Sequence, residues 1–164
     1  MKSSPRIFQT AVGASKHILF VCTGNICRSP MAEGLFRKAV AGRPEIVVSS
    51  AGVGAVDGQP PSAHSVTALR ARGIDISKVR SRGLTSAIIE QSTHVFAMTR
   101  GHMDLILTFF PEAAERTYLV REFMPQAGDI ADPIGQGPEV YLRCCQQIEA
   151  AIPSLLEFIL KDQP

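Results

Sequence analysis

Short apolar runs alternate along this chain with longer segments in which apolar residues recur at helical spacing. The apolar runs have the length and composition of buried strands and cover residues 18–21, 46–48, 95–98 and 117–120. The helical spacing predicts helices over residues 30–40, 63–72 and 101–110, and a long helix that begins at Pro138. Because strands that alternate with helices pair in parallel through right-handed crossovers, the pattern predicts an α/β fold. We expect a single three-layer domain, with a four-stranded parallel sheet and helices on both faces.

Composition and charge are those of an ordinary single domain. The chain has 164 residues, of which 45% are hydrophobic and 20% charged, close to the average soluble protein. Its 17 basic and 15 acidic residues leave a net charge of +2, and without a basic cluster no nucleic-acid partner is expected. No apolar run approaches the roughly 20 residues of a membrane span, so no membrane association is expected. Residues 1–16 are predicted to be a flexible extension, and residues 17–164 the folded domain.

The four cysteines do not have the spacing of a disulfide framework. Cys144 and Cys145 are adjacent in the predicted long helix, and Cys22 and Cys27 share one short loop. The protein is therefore predicted to work in the reducing cytoplasm. The histidines lack metal-ligand spacing with these cysteines, and no nucleotide-binding loop is present, so neither a metal nor a cofactor is expected.

The loop after the first predicted strand, residues 22–28, has the chemistry of an anion-binding site. It begins with Cys22, ends with Arg28, and is followed by a helix that is predicted to begin with Ser29 as its N-cap. Backbone N–H groups of such a loop and of the helix N-terminus can point inward at an anion. Gly24 and Asn25 tolerate the backbone angles that this curl requires. We call these residues the anion loop.

The same surroundings favour phosphoryl chemistry at Cys22. Inward N–H groups, a helix N-terminus and a guanidinium all stabilise a thiolate, so Cys22 is predicted to be a nucleophile at neutral pH. The fork of Arg28 can meet two oxygens of a tetrahedral anion, and phosphoryl transfer depends on such positioning and charge stabilisation. The loop is therefore predicted to bind inorganic phosphate or a similar oxyanion. A structural loop with a small buried cysteine is the alternative.

Residues 21–33, VCTGNICRSPMAE, resemble the signature of the low-molecular-weight protein tyrosine phosphatases. Three weaker motifs follow in the family's order: SSAG at residues 49–52, AMT at residues 97–99, and Asp132 followed by Pro133. The resemblance covers about residues 17–160. It implies the family's α/β fold and a hydrolase that acts on phosphorylated protein substrates.

The resemblance also implies a role for each residue of the site. Cys22 would form a phosphocysteine intermediate, Arg28 would bind the phosphate and stabilise the transition state, and Asp132 would be the general acid. Ser29 would hydrogen-bond the thiolate and help it leave, and Asn25 would hold the unusual loop backbone. The other loop residues expected to bind phosphate or support the loop are Thr23, Gly24, Ile26 and Cys27.

The substrate class is less directly visible in the sequence. Relatives that act on phosphotyrosine often carry aromatic residues after the Asp-Pro pair, where residues 134–137 here are IGQG, and some carry Asp at the position of Thr99. Both features resemble a bacterial branch that includes phosphoarginine phosphatases, but the phosphoarginine subgroup has Thr at the position of Ile26. An apolar side chain there suits a phenyl ring, so we expect phosphotyrosine, with phosphoarginine as the alternative.

Three further functions are weighed against a phosphatase. A module that binds phosphate without turnover would need Arg28 but neither Cys22 nor Asp132. A thiol-redox protein would use Cys22 and Cys27 as a reversible disulfide pair. An arsenate reductase of this fold would use extra cysteines after the second helix, and residues 61–110 contain none.

Overall fold

The computed structural model describes residues 15–162. The predicted flexible extension falls almost wholly on residues 1–14, outside this range. Lys16, counted above with the extension, is already the first residue of strand β1 (Lys16–Cys22). Its Nζ donates a hydrogen bond to the backbone oxygen of Asp162 at 2.6 Å. Lys16 therefore belongs to the folded domain.

Strands and helices follow one another in the order that the apolar pattern predicts. The remaining strands are β2 (Ile46–Gly52), β3 (His94–Ala97) and β4 (Thr117–Leu119). The helices are α1 (Arg28–Ala39), α2 (Ala63–Arg70), α3 (Ser86–Gln91), α4 (Arg100–Phe109) and α5 (Pro138–Lys161), with a 3₁₀ helix at Pro111–Arg116. The sequence did not predict α3 or the 3₁₀ helix, because six residues are too few to show an apolar period. No helix within residues 15–162 combines the length and apolar composition needed to cross a membrane.

The four strands form one parallel sheet in the order β2-β1-β3-β4, which confirms the predicted sheet. β1 lies between β2 and β3, with Cys22 opposite Gly52 and Val21 opposite Ala97. The carboxyl ends of these strands therefore meet at one edge, where ligands bind in folds of this type. The anion loop starts at that edge.

Side chains of β1 alternate between two hydrophobic cores. Ile18, Phe20 and Cys22 face the core that β1 shares with α1, α2 and α5. Leu19 and Val21 face the core shared with α3 and α4. Burial of each of the large apolar side chains among these stabilises the fold by about 1.5–3 kcal/mol, so the strand that carries Cys22 is held from both sides. Helices cover both faces of the sheet, which confirms the predicted three layers.

Gly52, at the end of β2, leaves room for the anion loop. A side chain here would overlap the carbonyl oxygen of Thr23 and come within 3.0 Å of the backbone nitrogen of Asn25. We therefore expect Gly52→Ala to lower the free energy of unfolding by about 1–3 kcal/mol, measured by urea denaturation. Gly54→Ala is the matched control, because its added Cβ meets no atom closer than 3.8 Å. Equal stability of the two variants would contradict the close approach of loop and strand.

Candidate active site

The anion loop surrounds a small cavity at the carboxyl edge of the sheet. The cavity has a volume of about 120 Å³ and is lined by Cys22, Thr23, Gly24, Ile26, Cys27, Arg28, Asp132 and Ile134. All of these except Ile134 are site residues that the sequence predicts. The two other predicted residues, Asn25 and Ser29, are buried and do not line the cavity. The structure thus brings the predicted residues together: seven of them line the cavity, and Asn25 and Ser29 are buried behind the lining.

Asn25 gives the anion loop its curl. Its φ of 56° lies in the left-handed region, which asparagine tolerates better than most residues. Its amide nitrogen donates hydrogen bonds to the hydroxyls of Ser29, at 2.8 Å, and Ser50, at 2.9 Å. Its amide oxygen accepts from the backbone nitrogen of Arg82 at 2.9 Å. These three bonds hold the strained backbone in place.

The Cys22 side chain is buried at the base of the cavity, with Sγ 2.9 Å from the hydroxyl oxygen of Ser29. The predicted role of Ser29 as the N-cap of α1 is wrong. The N-cap is Cys27, without a side-chain cap, and the helix begins at Arg28. The Ser29 hydroxyl contacts the Cys22 thiol instead of capping the helix end, because the loop brings Cys22 and Asn25 within its reach.

Arg28 lines the cavity although the residue is only 3% exposed. Nη1 donates to the backbone oxygen of Ile130 at 2.8 Å, and Nη2 lies 3.5 Å from Oδ2 of Asp132. Nε is buried and has no hydrogen-bond partner within residues 15–162. An unsatisfied buried donor is costly, and an oxyanion in the cavity would supply its acceptor. The arrangement is that of an anion site.

Asp132 lies across the cavity on residues 128–137, which we call the acid loop. Its Oδ1 accepts a hydrogen bond from the backbone nitrogen of Ile134 at 3.1 Å, and its Oδ2 faces Arg28. The carboxyl group remains 42% exposed. It can therefore exchange protons both with solvent and with a group bound in the cavity.

Comparison with known protein families identifies the family of this chain. Residues 17–164 match the family model described as "Low molecular weight phosphotyrosine protein phosphatase". This protein belongs to that family. The resemblance found in the sequence is therefore confirmed over almost the whole described domain.

Relatives of this phosphatase are named for two different substrates, phosphoarginine and phosphotyrosine in proteins. A protein-arginine-phosphatase of Geobacillus stearothermophilus is 43% identical over 147 residues, which are 89% of this chain and 97% of the relative. The low molecular weight protein-tyrosine-phosphatase Etp of Escherichia coli K12 is 31% identical over 134 residues, 82% of this chain and 88% of the relative. The structure of Vibrio vulnificus Wzb in complex with benzylphosphonate has a TM-score of 0.81 and 32% identity, and covers 87% of this chain and 97% of that one.

Two isoleucines form apolar walls of the phosphatase cavity. Ile26 is partly buried and packs against the hydrophobic core beneath the anion loop. Ile134, on the acid loop, is 56% exposed and so is free to contact a substrate. In the sequence, Ile134 stands out only as the first of the residues after the Asp-Pro pair, where relatives often carry aromatic residues. The structure adds it to the site.

Cys27 is buried beside the cavity and is in contact with two hydroxyl groups. Its Sγ lies 3.3 Å from the hydroxyl oxygen of Tyr141 on α5 and 3.6 Å from that of Ser62, the N-cap of α2. Burial and the contact with Cys27 raise the pKa of Tyr141 to about 12, so its hydroxyl stays protonated at neutral pH. Cys22, Cys27, Cys144 and Cys145 are all free thiols. Burial raises the pKa of Cys144 to about 12, as expected for a core residue.

His102 is a site residue that the sequence analysis missed. Its Nε2 lies 2.8 Å from Thr23 Oγ1, and its Nδ1 lies 3.0 Å from Thr99 Oγ1. Burial, followed by the charge of Arg28, lowers the pKa of His102 to about 4, so the ring is neutral at physiological pH. The only signal in the sequence was Thr99 three residues earlier, the spacing of an N-cap from the third helical residue. His102 thus links α4 to the anion loop.

His102 predicts a pH-dependence of stability. Because folding lowers its pKa from 6.5 to about 4, the unfolded chain binds a proton in this pH range that the folded chain does not. Stability should therefore decrease as the pH falls from 6.5 to about 4. We expect a smaller decrease in His102→Asn, measured as melting temperature at each pH. The control is His64→Asn, which replaces an exposed histidine and should keep the wild-type profile. A wild-type profile in His102→Asn would contradict the assignment.

Proposed function

We propose that this protein hydrolyses phosphotyrosine in proteins through a phosphocysteine intermediate. The observation that carries this proposal is that Cys22, Arg28 and Asp132 line one cavity, while Nε of Arg28 is buried and has no hydrogen-bond partner within residues 15–162. These residues supply a nucleophile, an oxyanion site and a proton donor, the three groups that the reaction requires. The proposed partners are phosphorylated proteins. The free thiols among the described residues support the reducing cytoplasm as its compartment.

In the first step, the phosphoryl group binds in the anion loop, with its oxygens on Arg28 and on loop N–H groups. The thiolate of Cys22 attacks the phosphorus, and the S–P bond forms as the bond to the phenolic oxygen breaks. Asp132 gives its proton to that oxygen, so tyrosine leaves as a neutral phenol. The guanidinium balances the charge that develops on the phosphoryl oxygens.

In the second step, water attacks the phosphorus of the phosphocysteine. Asp132, now a carboxylate, accepts a proton from this water. The S–P bond breaks, phosphate is released, and Cys22 returns as a thiolate. The Ser29 hydroxyl, 2.9 Å from the sulfur, stabilises the thiolate as it leaves.

The apolar walls favour a phenyl ring as the leaving group. The side chains of Ile26 and Ile134 line the cavity on the anion loop and the acid loop. A phosphoarginine guanidinium at Ile26 would place N–H groups against methyl groups, at a cost of about 1–3 kcal/mol where they stay unsatisfied. Phosphoarginine is the second candidate, because a protein-arginine-phosphatase is 43% identical to this chain.

The acid role of Asp132 predicts a dependence on the leaving group. Asp132→Asn should slow the hydrolysis of phenyl phosphate by about 10²–10⁴-fold and that of 2,4-dinitrophenyl phosphate much less, because only the poorer leaving group needs a proton. Initial rates in EDTA measure both. The matched control is Asp129→Asn, on the same loop but outside the cavity lining. Cys22→Ser should abolish both activities. Equal losses with the two substrates in Asp132→Asn would point to a structural role.

The Ile26 wall predicts the substrate preference. The wild type should hydrolyse a phosphotyrosine peptide faster than a phosphoarginine peptide when the two compete, and Ile26→Thr should shift this ratio about tenfold towards phosphoarginine. Val56→Thr also replaces an aliphatic β-branched side chain by threonine, at an exposed position outside the cavity lining, and should leave the ratio unchanged. A wild-type preference for phosphoarginine, or an unchanged ratio in Ile26→Thr, would refute the assignment of phosphotyrosine.

A further inference from the structure

We propose that a second cavity, between α5 and the segment after β4, binds a phosphate group at a site separate from the anion loop. This cavity has a volume of about 360 Å³ and is lined by Arg121, Met124, Arg143, Gln146, Gln147 and Ala150. We call it the α5 cavity. It shares no lining residue with the cavity at the anion loop, so this inference does not rest on the proposed function.

One face of α5 supplies most of the lining. Arg143, Gln146, Gln147 and Ala150 follow one another at positions i, i+3, i+4 and i+7 of the helix, which places them on the same side. Residues between them, such as Ile148, are buried in the hydrophobic core. The core therefore anchors α5 and holds its polar face in place beside the segment after β4.

The charge of the α5 cavity is positive and unbalanced. Its lining carries the guanidinium groups of Arg121 and Arg143 and no carboxylate. Neither group belongs to the arginines that form ion pairs within residues 15–162, which are Arg28, Arg37, Arg43 and Arg72. The rest of the chain contains no Asp or Glu. Two like charges at one cavity repel each other, and a bound anion offsets this repulsion.

Arg121 also has a donor without an acceptor. Its Nε is buried and has no hydrogen-bond partner within residues 15–162. Arg28 and Arg116 share this feature, but Arg28 belongs to the anion loop, and the cavity lined by Arg116 also contains the carboxylates of Glu90 and Asp162. A buried donor that stays unsatisfied is costly. An oxyanion in the α5 cavity offers the guanidinium of Arg121 the acceptors that the described chain does not provide.

The donors of the lining suit a phosphate group. Each guanidinium can donate to two oxygens of a tetrahedral anion, and the side-chain amides of Gln146 and Gln147 add uncharged N–H donors. The volume of about 360 Å³, against about 120 Å³ at the anion loop, leaves room for an organic group attached to the phosphate. Met124 offers that group an apolar contact.

The α5 cavity lies next to the acid loop. A Cβ built on Gly128, the first residue of that loop, would lie 3.8 Å from Nη1 of Arg121, which is an ordinary contact distance. The Gly128 backbone is therefore close enough to respond when the guanidinium of Arg121 binds a ligand. Its amide resonance is a reporter of the site in addition to those of the arginines.

The test follows the Nε–H resonances of Arg121 and Arg143 by NMR while sodium phosphate is added at constant ionic strength. The protein is the Cys22→Ser variant, so that phosphate esters can be used in the same way without turnover. Both resonances and the Gly128 amide should move along one saturable curve. Arg121→Gln and Arg143→Gln should each weaken binding, read from the remaining resonances, by about tenfold or more.

The matched control is Arg43→Gln, which removes the same charge at an arginine outside the lining, with a side chain that is 46% exposed. It should keep the dissociation constant of the unmodified site. A second titration with glycerol phosphate distinguishes the sources of the phosphate group. Tighter binding than that of sodium phosphate identifies an organic phosphate as the ligand, and equal or weaker binding identifies the free ion.

The opposite results overturn the proposal. If sodium chloride moves the resonances as far as phosphate does, or if the response does not saturate, the cavity attracts ions only through its charge. The proposal also fails if Arg43→Gln weakens binding as much as Arg121→Gln does. If Arg121→Gln does not fold, as judged by urea denaturation, unchanged binding in Arg143→Gln overturns it instead. Failure of the proposed function looks different: the wild type would bind phosphate in the α5 cavity but would not hydrolyse aryl phosphates.

Discussion

The left-handed backbone of Asn25 is the constraint on which the site depends. Such a conformation costs about 1–3 kcal/mol in a residue with a side chain, and the three hydrogen bonds of the Asn25 amide offset this cost. The turn it makes brings both ends of the anion loop together, so Cys22 and Arg28 line the same cavity. One amide thereby positions the proposed nucleophile and the proposed oxyanion site together.

The parallel sheet brings the polar groups that hold the anion loop together from distant parts of the chain. Ser50 comes from β2, the anion loop follows β1, and His102 comes from the helix after β3. Because all strands run in the same direction, their carboxyl ends meet at one edge, and polar groups from separate crossovers converge there. Buried polar groups at such an edge are stable only when they satisfy one another. The network around Asn25 therefore stabilises this fold and prepares the site with the same hydrogen bonds.

The order of strands and helices and the residues of the anion loop were predictable because their signals are local. Buried strands appear as apolar runs, and the loop appears as a cysteine and an arginine between a strand and a helix. Ser29 shows the limit of such signals. The Ser-Pro sequence favours an N-cap locally, but in the folded protein the Ser29 hydroxyl contacts the Cys22 thiol instead of the helix end. His102 and Tyr141 contact the loop only after the crossovers have formed. Their roles follow from contacts between elements, which no spacing within one element reveals.

Family membership and substrate preference depend on different atoms of the site. Phosphotyrosine and phosphoarginine present the same phosphoryl group, so the contacts that we propose between the anion loop and its oxygens would serve both equally. The difference begins one atom beyond the phosphorus, with either an oxygen on a flat phenyl ring or a nitrogen of a planar guanidinium. Identity of 43% spread over the whole chain is therefore a weak guide to preference, because most of it concerns the fold and the shared phosphoryl site. A wall residue such as Ile26 acts only on the differing part, and about 1–3 kcal/mol there changes selectivity about tenfold or more.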